Sequence, residues 1–217
     1  MSEPAIRTAT PTDPAPGAIA AVAVALGGSV VLGGLTSFAQ TILPDAFRPF
    51  ANSASGWTLL AFLLVYAGRA RLLLGTILGV VAFVGLVEGY AIVSNLRGFY
   101  YSYTGIFALV GLAAGPVLGF SASLARRGAG LCRRRLWRVL GLSPLCAVLT
   151  GDGVFGLRYV RESTGTFYWI LTIVLGIFVL LLANLKIQPG LLGTVLSVVV
   201  TALGAAFFVA AYVLILS

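Results

Sequence analysis

Long apolar stretches separated by short polar links dominate the chain from residue 18 onward. A helix that crosses a lipid bilayer needs about 20 predominantly apolar residues, because each residue advances the helix by roughly 1.5 Å. The stretches that approach or exceed this length are residues 18–43, 53–67, 72–93, 103–125, 136–155, 166–183 and 191–216. The pattern predicts an all-α fold, a polytopic bundle of transmembrane helices.

The second stretch is the shortest, and the link before it is interrupted by Pro44 and Pro49. We expect it to cross as a compressed helix, which gives seven spans. If it is re-entrant instead, six spans remain and the N-terminus changes sides. Residues 1–17 contain four prolines and no apolar run. They predict a disordered cytoplasmic tail ahead of one transmembrane domain at residues 18–217.

A faint internal repeat links the two halves of the chain. Residues 74–81 match residues 192–199, and each match follows an apolar stretch that begins near a tryptophan, Trp57 or Trp169. Stretches one to three would then correspond to five to seven, as a parallel three-helix repeat with the fourth stretch as linker. The alternative is that helices rich in Leu, Val and Gly resemble one another by chance.

Charged residues make up only 9% of the chain, against about 25% in soluble domains, so the surface must face lipid. The net charge of +8 lies mostly in the links between apolar stretches, which argues against nucleic acid as a partner. Short links rich in Lys and Arg stay in the cytoplasm. With seven spans, ten basic residues fall on the side of the N-terminus and four on the other, so we expect a cytoplasmic N-terminus.

Two carboxylates lie inside apolar stretches. Glu88 is about 24 Å along the third helix, and Asp152 lies at a similar depth in the fifth, which runs in the same direction. A charge at mid-bilayer costs at least ~2.5–3.5 kcal/mol, and such residues usually face the bundle interior or a water-filled cavity. Glycines flank both acids, and Gly151 and Gly153 would also weaken the helix around Asp152.

These acids support two interpretations. In the first, an outward-opening cavity between the third and fifth helices binds a small solute or a cation through Glu88 and Asp152. Further candidate binding residues are Tyr90, Arg97 and Arg158. In the second, the carboxylates form structural ion pairs with arginines at the external side, and no ligand is needed.

Small residues recur every four positions along the fourth helix, at Gly111, Gly115, Gly119 and Ser123. Such a stripe lets another helix approach closely. The other helix belongs either to this bundle or to a partner, and the partner is either another membrane protein or a second copy of the chain.

The densest basic cluster precedes the fifth helix and contains Arg133, Arg134 and Arg135, with Trp137 as an interfacial anchor. Beside a membrane, each basic residue attracts anionic lipid by roughly 1 kcal/mol. We therefore expect this cluster to contact anionic lipids.

The chain contains no histidine, no phosphate-binding Gly-rich loop and no acidic pair at metal-ligand spacing. We expect no enzymatic activity, no cofactor and no bound metal. Cys132 lies in a basic link and Cys146 in an apolar stretch, so we expect no disulfide.

Several short motifs resemble a family of uncharacterised multi-pass membrane proteins from high-GC actinobacteria. They are residues 32–37, 51–53 with Trp57, 88–90 and 115–119, and the resemblance covers roughly residues 27–125. It implies a bacterial cytoplasmic-membrane location and no particular activity. Two function classes follow from the whole sequence: a transporter-like protein that binds a small solute or cation, and a non-catalytic subunit or scaffold that docks onto a partner membrane protein.

Overall fold

The computed structural model describes residues 16–99, 104–127 and 134–216. Its α-helices are α1 (Pro16–Ile42), α2 (Ala54–Gly68), α3 (Leu72–Leu96), α4 (Thr104–Arg127), α5 (Arg134–Phe155), α6 (Arg161–Thr164), α7 (Phe167–Ile187) and α8 (Gly190–Leu216). A 3₁₀ helix at Arg48–Asn52 precedes α2, and a π-helical turn at Gly156–Val160 joins α5 to α6. The predicted all-α class is confirmed. The predicted tail, except residues 16 and 17, lies outside the described residues, as do Cys132 and Arg133.

Within the described ranges, six helical segments are long and apolar enough to cross a membrane, and α5 to α6 count as one of them. The remaining helix, α2, has 15 residues and extends about 22 Å, less than the roughly 30 Å of a bilayer core. These apolar helices make the chain a multi-pass membrane protein.

The contacts of α2 show that it runs back along α1, in the opposite direction to it. The side-chain nitrogen of Gln40 lies 3.5 Å from the carbonyl oxygen of Ala51, next to the start of α2. At the other end, a methyl group built on Gly68 would lie 3.2 Å from the Cα of Ala21. The segment from the 3₁₀ helix to Gly68 therefore follows α1 for most of its length, which is the course expected of a compressed span.

Successive helices along the chain, α1 to α5 and then α7 and α8, alternate in direction, so the bundle has two distinct ends. We call them the Arg97 end, where α1 and α3 finish and α2 and α7 begin, and the Lys186 end, where α2 and α7 finish. The described parts of the predicted cytoplasmic links, at residues 69–71, 126–127, 134–138 and 186, all lie at the Lys186 end.

The hydrophobic core surrounds α2, which packs against α1, α3, α4 and α5. Phe62 and Val65 of α2 are almost fully buried and share one core with Leu86 of α3 and Leu149 of α5. A helix that contacts four neighbours must be apolar on all sides, and this explains why α2 shows no polar face.

The proposed repeat divides the helices into two triplets, α1 to α3 and α5, α7 and α8. In each triplet the first and third helices pack in parallel. In the first triplet, Ser37 of α1 is hydrogen bonded to Ser94 of α3 at 2.9 Å. In the second, a methyl group on Gly204 of α8 would lie 2.8 Å from the Cβ of Ala147 on α5. The same pairing thus occurs in both halves of the proposed repeat. The second helices differ, because α2 packs against both partners whereas α7 packs mainly on α5.

Candidate solute-binding site

Asp152 lies in the bundle interior, with only 2% of its surface exposed. Its Oδ2 accepts a hydrogen bond of 2.9 Å from the backbone N–H of Ser55, in the first turn of α2. The first N–H groups of a helix have no partner within the helix, and they carry the positive end of the helix dipole. Asp152 therefore caps a helix distant in sequence, and its carboxyl group lies at the positive end of that helix's dipole.

Three further side chains complete this cap. Ser53, the N-cap residue, accepts a 3.1 Å hydrogen bond from the N–H of Gly56. The hydroxyl of Tyr168, on α7, is hydrogen bonded to the hydroxyls of Ser53 at 2.6 Å and Ser55 at 2.9 Å. We call Ser53, Ser55, Asp152 and Tyr168 the capping network; it joins α2, α5 and α7 deep in the bundle.

The glycines beside Asp152 serve helix packing. A methyl group on Gly151 would lie 2.9 Å from the carbonyl oxygen of Ala205 on α8, and one on Gly153 would lie 2.7 Å from that of Trp169 on α7. The expected weakening of the helix at these glycines is not observed. Helix α5 stays regular to Phe155 and changes to π geometry only at Gly156, which faces the ring of Trp169.

A cleft of about 630 Å³ opens at the Arg97 end, and its lining includes the residues that precede Ser53 and Tyr168 in the chain. One wall is the link before α2, with Asp45, Arg48 and Asn52, and the other is the turn between α6 and α7. Asn52 is adjacent in sequence to Ser53, and Phe167, which also lines the cleft, is adjacent to Tyr168. The cleft and the network are therefore connected through single peptide bonds on both walls.

The lining of the cleft is mixed and carries both charges. Asp45 and Arg48 form an exposed ion pair at 2.5 Å. Hydroxyl-bearing residues from the opposite wall are Ser163, Thr164 and Thr166. Ala46, Pro49 and Phe167 add apolar surface, so the lining offers polar groups and apolar contacts to a small molecule.

The structure does not bring Glu88 and Asp152 together. Glu88 is exposed on the outer face of α3, on the same stripe as Ile77 and Ile92. Gly85 and Gly89 pack against α1, and they lie about a quarter turn round the helix from Glu88. Close packing on α1 therefore turns Glu88 outward, whereas Asp152 points between its two glycine contacts toward α2. The expected cavity shared by both acids, between the third and fifth helices, is not formed.

Tyr90 and Arg97 hold α3 to its neighbours. The Tyr90 hydroxyl donates to Oε1 of Gln40 at 3.0 Å, and its ring packs edge-on against Trp57. Arg97 donates to the backbone oxygen of Ser37 and to the hydroxyl of Thr41, the latter at 2.9 Å, while its guanidinium lies 4.4 Å from the centre of the Phe38 ring. Both side chains thus contact α1, and neither lines the cleft.

The predicted ion pairs between the embedded acids and arginines are absent from the described residues. Arg158 is exposed and lies 5.7 Å from the ring of Tyr159, on its own helix. Asp152 is satisfied by a helix terminus, and Glu88 has no basic neighbour in the described part of the chain. The interpretation of Glu88 and Asp152 as members of structural ion pairs is therefore not supported for either residue.

The small-residue stripe of α4 packs inside the bundle. A methyl group on Gly115 would lie 2.7 Å from the Cα of Val80, and one on Gly119 would lie 2.8 Å from the Cα of Gly79. Gly111 faces the ring of Phe83, and Ser123 is buried against Gly75. Of the two expected uses of the stripe, the structure shows contact with α3, so these residues are not accessible to a partner helix.

At the Lys186 end, arginines line a second groove or stabilise helix termini. Arg134 and Arg135 border a groove of about 530 Å³ beside the link from α7 to α8. Arg127 donates to the carbonyl oxygen of Ala70 at 3.1 Å, between α2 and α3. Trp137 is half-buried next to these residues. Cys146 is buried as a free thiol.

Comparison with known proteins identifies a family but no function. No curated protein and no solved structure matches the chain. A family model described as "Family of unknown function (DUF6518)" matches residues 12–217. The match extends well beyond residues 27–125, to which the resemblance in sequence motifs was confined, and it includes the α5 segment that carries Asp152. The chain belongs to this family of unknown function.

Proposed function

We propose that this membrane protein is a transporter-like protein that binds a small polar solute in the cleft at the Arg97 end. The observation that supports this most directly is the position of the cleft. Its two walls continue, at Asn52 and Phe167, into the residues that cap α2. A solute that draws these walls together would act directly on the capping network.

Helix α2 is the element best suited to respond to a solute bound in the cleft. It is shorter than a bilayer core, and its N-terminus is held by side chains from α5 and α7 instead of by a long preceding helix. Short or interrupted helices with their N-termini at a buried polar site are a recurrent feature of solute-binding membrane proteins. Embedded carboxylates such as Asp152 mark solute or ion pathways in many of them.

The charges of the lining favour a polar or zwitterionic solute. Asp45 and Arg48 present opposite charges within one wall, and the facing turn contributes hydroxyls. A solute with both an amino and an acidic group can replace the exposed contact between Asp45 and Arg48 with contacts of its own. The proposed role is binding and transfer without chemical conversion.

We also propose the orientation expected from the charges: the Lys186 end is cytoplasmic, and the cleft opens to the outside of a bacterial cytoplasmic membrane. The groove beside Arg134 and Arg135 would then face the cytoplasmic leaflet, where these side chains can bind anionic lipid headgroups.

Cysteine labelling tests both orientation and binding. Asn52→Cys in a Cys132→Ser background should react with a membrane-impermeant maleimide added outside intact cells, while Gln188→Cys should react only after permeabilisation. A panel of amino acids, small amines and alkali cations is then added before the maleimide. We expect one chemical class to slow labelling of Asn52→Cys at least threefold and to leave Gln188→Cys unchanged in permeabilised cells.

Two results would overturn this proposal. If Asn52→Cys reacts only after permeabilisation, the cleft does not face outward. If no member of the panel slows the reaction or raises the melting temperature of the purified protein, the cleft is not a site for these solutes. A ligand at 100 times its Kd stabilises a protein by ~2.7 kcal/mol, a change that is readily detected.

A further inference from the structure

The outer face of α3 carries an unsatisfied carboxylate. Glu88 is exposed on a stripe with Ile77, Ile92 and Leu96, which are 55%, 53% and 81% exposed. We call these four residues the Glu88 face. Among the residues that the structure describes, none forms a hydrogen bond or an ion pair with Glu88.

The carboxylate lies at membrane depth. Glu88 is 16 residues after Leu72, so it is about 24 Å along α3 and about 12 Å short of Leu96. Its neighbours on the same face are isoleucines, which are the side chains expected against lipid tails. Glu88 lies about 6 Å past the middle of α3. A charge at the centre of a membrane helix costs at least ~2.5–3.5 kcal/mol and less toward the interface, so an unpaired carboxylate here is unfavourable.

Asp152, the buried carboxyl group of the bundle described above, has a hydrogen-bond partner. That carboxylate is placed at a helix N-terminus and accepts a backbone hydrogen bond. Nothing equivalent lies near Glu88, and its orientation is fixed by the packing of Gly85 and Gly89 on α1. The partner of Glu88 must therefore come from outside the described part of the chain.

We infer that the Glu88 face docks onto a transmembrane helix of a different membrane protein, and that this helix carries a lysine or arginine at the depth of Glu88. Charge complementarity selects this occupant, because a cation beside the carboxylate removes the cost of leaving it in lipid. The inference concerns a surface separate from the cleft and does not depend on the proposed solute binding.

A second copy of the chain is a poorer occupant. In the described residues, the basic side chains of the apolar helices lie at helix ends, so a copy inserted in the same orientation offers no cation at this depth. A symmetric pair would place two Glu88 carboxylates against each other. The small-residue stripe of α4, the other candidate for pairing, is buried against α3.

A defined helix in vesicles tests this charge selection. The full chain is reconstituted with a fluorescent synthetic transmembrane helix of Leu and Ala that carries one Lys, either 12 Å from the end nearer the Arg97 side or at the opposite depth. A helix without Lys is the third probe. Energy transfer to the labelled chain should show binding of the depth-matched Lys helix about tenfold tighter than the Lys-free helix, equivalent to ~1.4 kcal/mol.

Glu88→Gln should abolish this preference, and Glu162→Gln, which changes an exposed carboxylate outside the membrane, should retain it. Equal binding of all three helices by the unmodified chain would overturn the inference. A preference that persists in Glu88→Gln would overturn it as well.

Photo-crosslinking in native membranes identifies the occupant. A photoreactive amino acid at Ile92 should form an adduct with one other membrane protein, at a transmembrane segment that contains Lys or Arg, and Glu88→Gln should reduce the yield at least fivefold. Adducts only with lipid, with a second copy of this chain, or with a segment lacking a basic residue would refute the inference.

Discussion

Replacing Asp152 with alanine should release the N-terminus of α2. The carboxylate is buried and accepts the N–H of Ser55, which is itself fully buried. Alanine leaves that buried donor without its acceptor. Because α2 packs against four helices in the centre of the bundle, a shift of its first turn disturbs the core as well as the cap.

The magnitude follows from the hydrogen bond and its setting. A hydrogen bond to a charged group contributes roughly 1.5–3 kcal/mol, and a charge at a partly buried helix terminus contributes up to ~2 kcal/mol. These contributions overlap, so we expect Asp152→Ala to destabilise the protein by about 2–4 kcal/mol. Chains of 150–250 residues lose about 2–4 °C in melting temperature per kcal/mol, which predicts a fall of roughly 5–15 °C. Asp152→Asn keeps an acceptor and should lose about half as much.

Tryptophan fluorescence during unfolding in mixed detergent micelles measures this loss. Trp57 lies in the first turn of α2, and Trp169 follows Tyr168 in the chain, so two of the three tryptophans report on the capping network. Glu88→Ala is the matched control, since it removes a carboxylate at similar depth from an exposed site. It should not lower the unfolding free energy by more than about 0.5 kcal/mol, because no described contact of Glu88 is lost.

Equal destabilisation by Asp152→Ala and Glu88→Ala would refute the reasoning, because it would mean that burial at the start of α2 makes no difference. A double-mutant cycle provides a second criterion. Asp152→Asn and Tyr168→Phe belong to one network through Ser55 and should show a coupling energy of about 0.5–3 kcal/mol. Additive effects would mean that the two side chains act separately.

Two further substitutions test helix contacts. Gly79→Ala should destabilise the protein by about 1–3 kcal/mol, because the added methyl would lie 2.6 Å from a backbone nitrogen of α4. Gly27→Ala, where nothing lies within 4 Å, is its control, and equal melting temperatures would contradict the α3–α4 packing. Arg97→Lys should cost about 1 kcal/mol, because an ammonium cannot reproduce the forked contacts with α1 above Phe38. Exposed Arg161→Lys should be neutral, and the same loss in both would show that the fork is unimportant.

Much of the fold could be predicted from hydrophobic pattern alone. Apolar length defined the helices, and the prolines near residues 44–49 correctly marked the irregular link before α2. The course of α2 could not be predicted from its 15 residues, because a short apolar helix suits both a re-entrant segment and a compressed span. Only its contacts along α1 distinguish these two arrangements.

The candidate site was predicted in part. Asp152 was identified as an embedded acid, but its role as a cap depends on the approach of α2, which sequence separation conceals. Ser53 and Ser55 were missed, although a serine immediately before an apolar run is a helix N-cap signal. Tyr168 was missed as well, because nothing local indicates that its hydroxyl points into the bundle.

The two acids looked alike because depth and neighbouring glycines are visible in sequence, whereas the direction of a side chain around its helix depends on which neighbours pack there. Around Asp152, glycines on both sides contact α7 and α8, and the acid faces the centre. Around Glu88, both glycines contact α1, and the acid faces out. Because Asp152 is buried and Glu88 is exposed, we propose different roles for the two carboxyl groups. Asp152 stabilises the helix beneath the proposed solute cleft, and Glu88 remains for a partner. The two roles are separate if one variant loses the protection of Asn52→Cys by solute but keeps the crosslink at Ile92. A variant with the opposite behaviour would show the same.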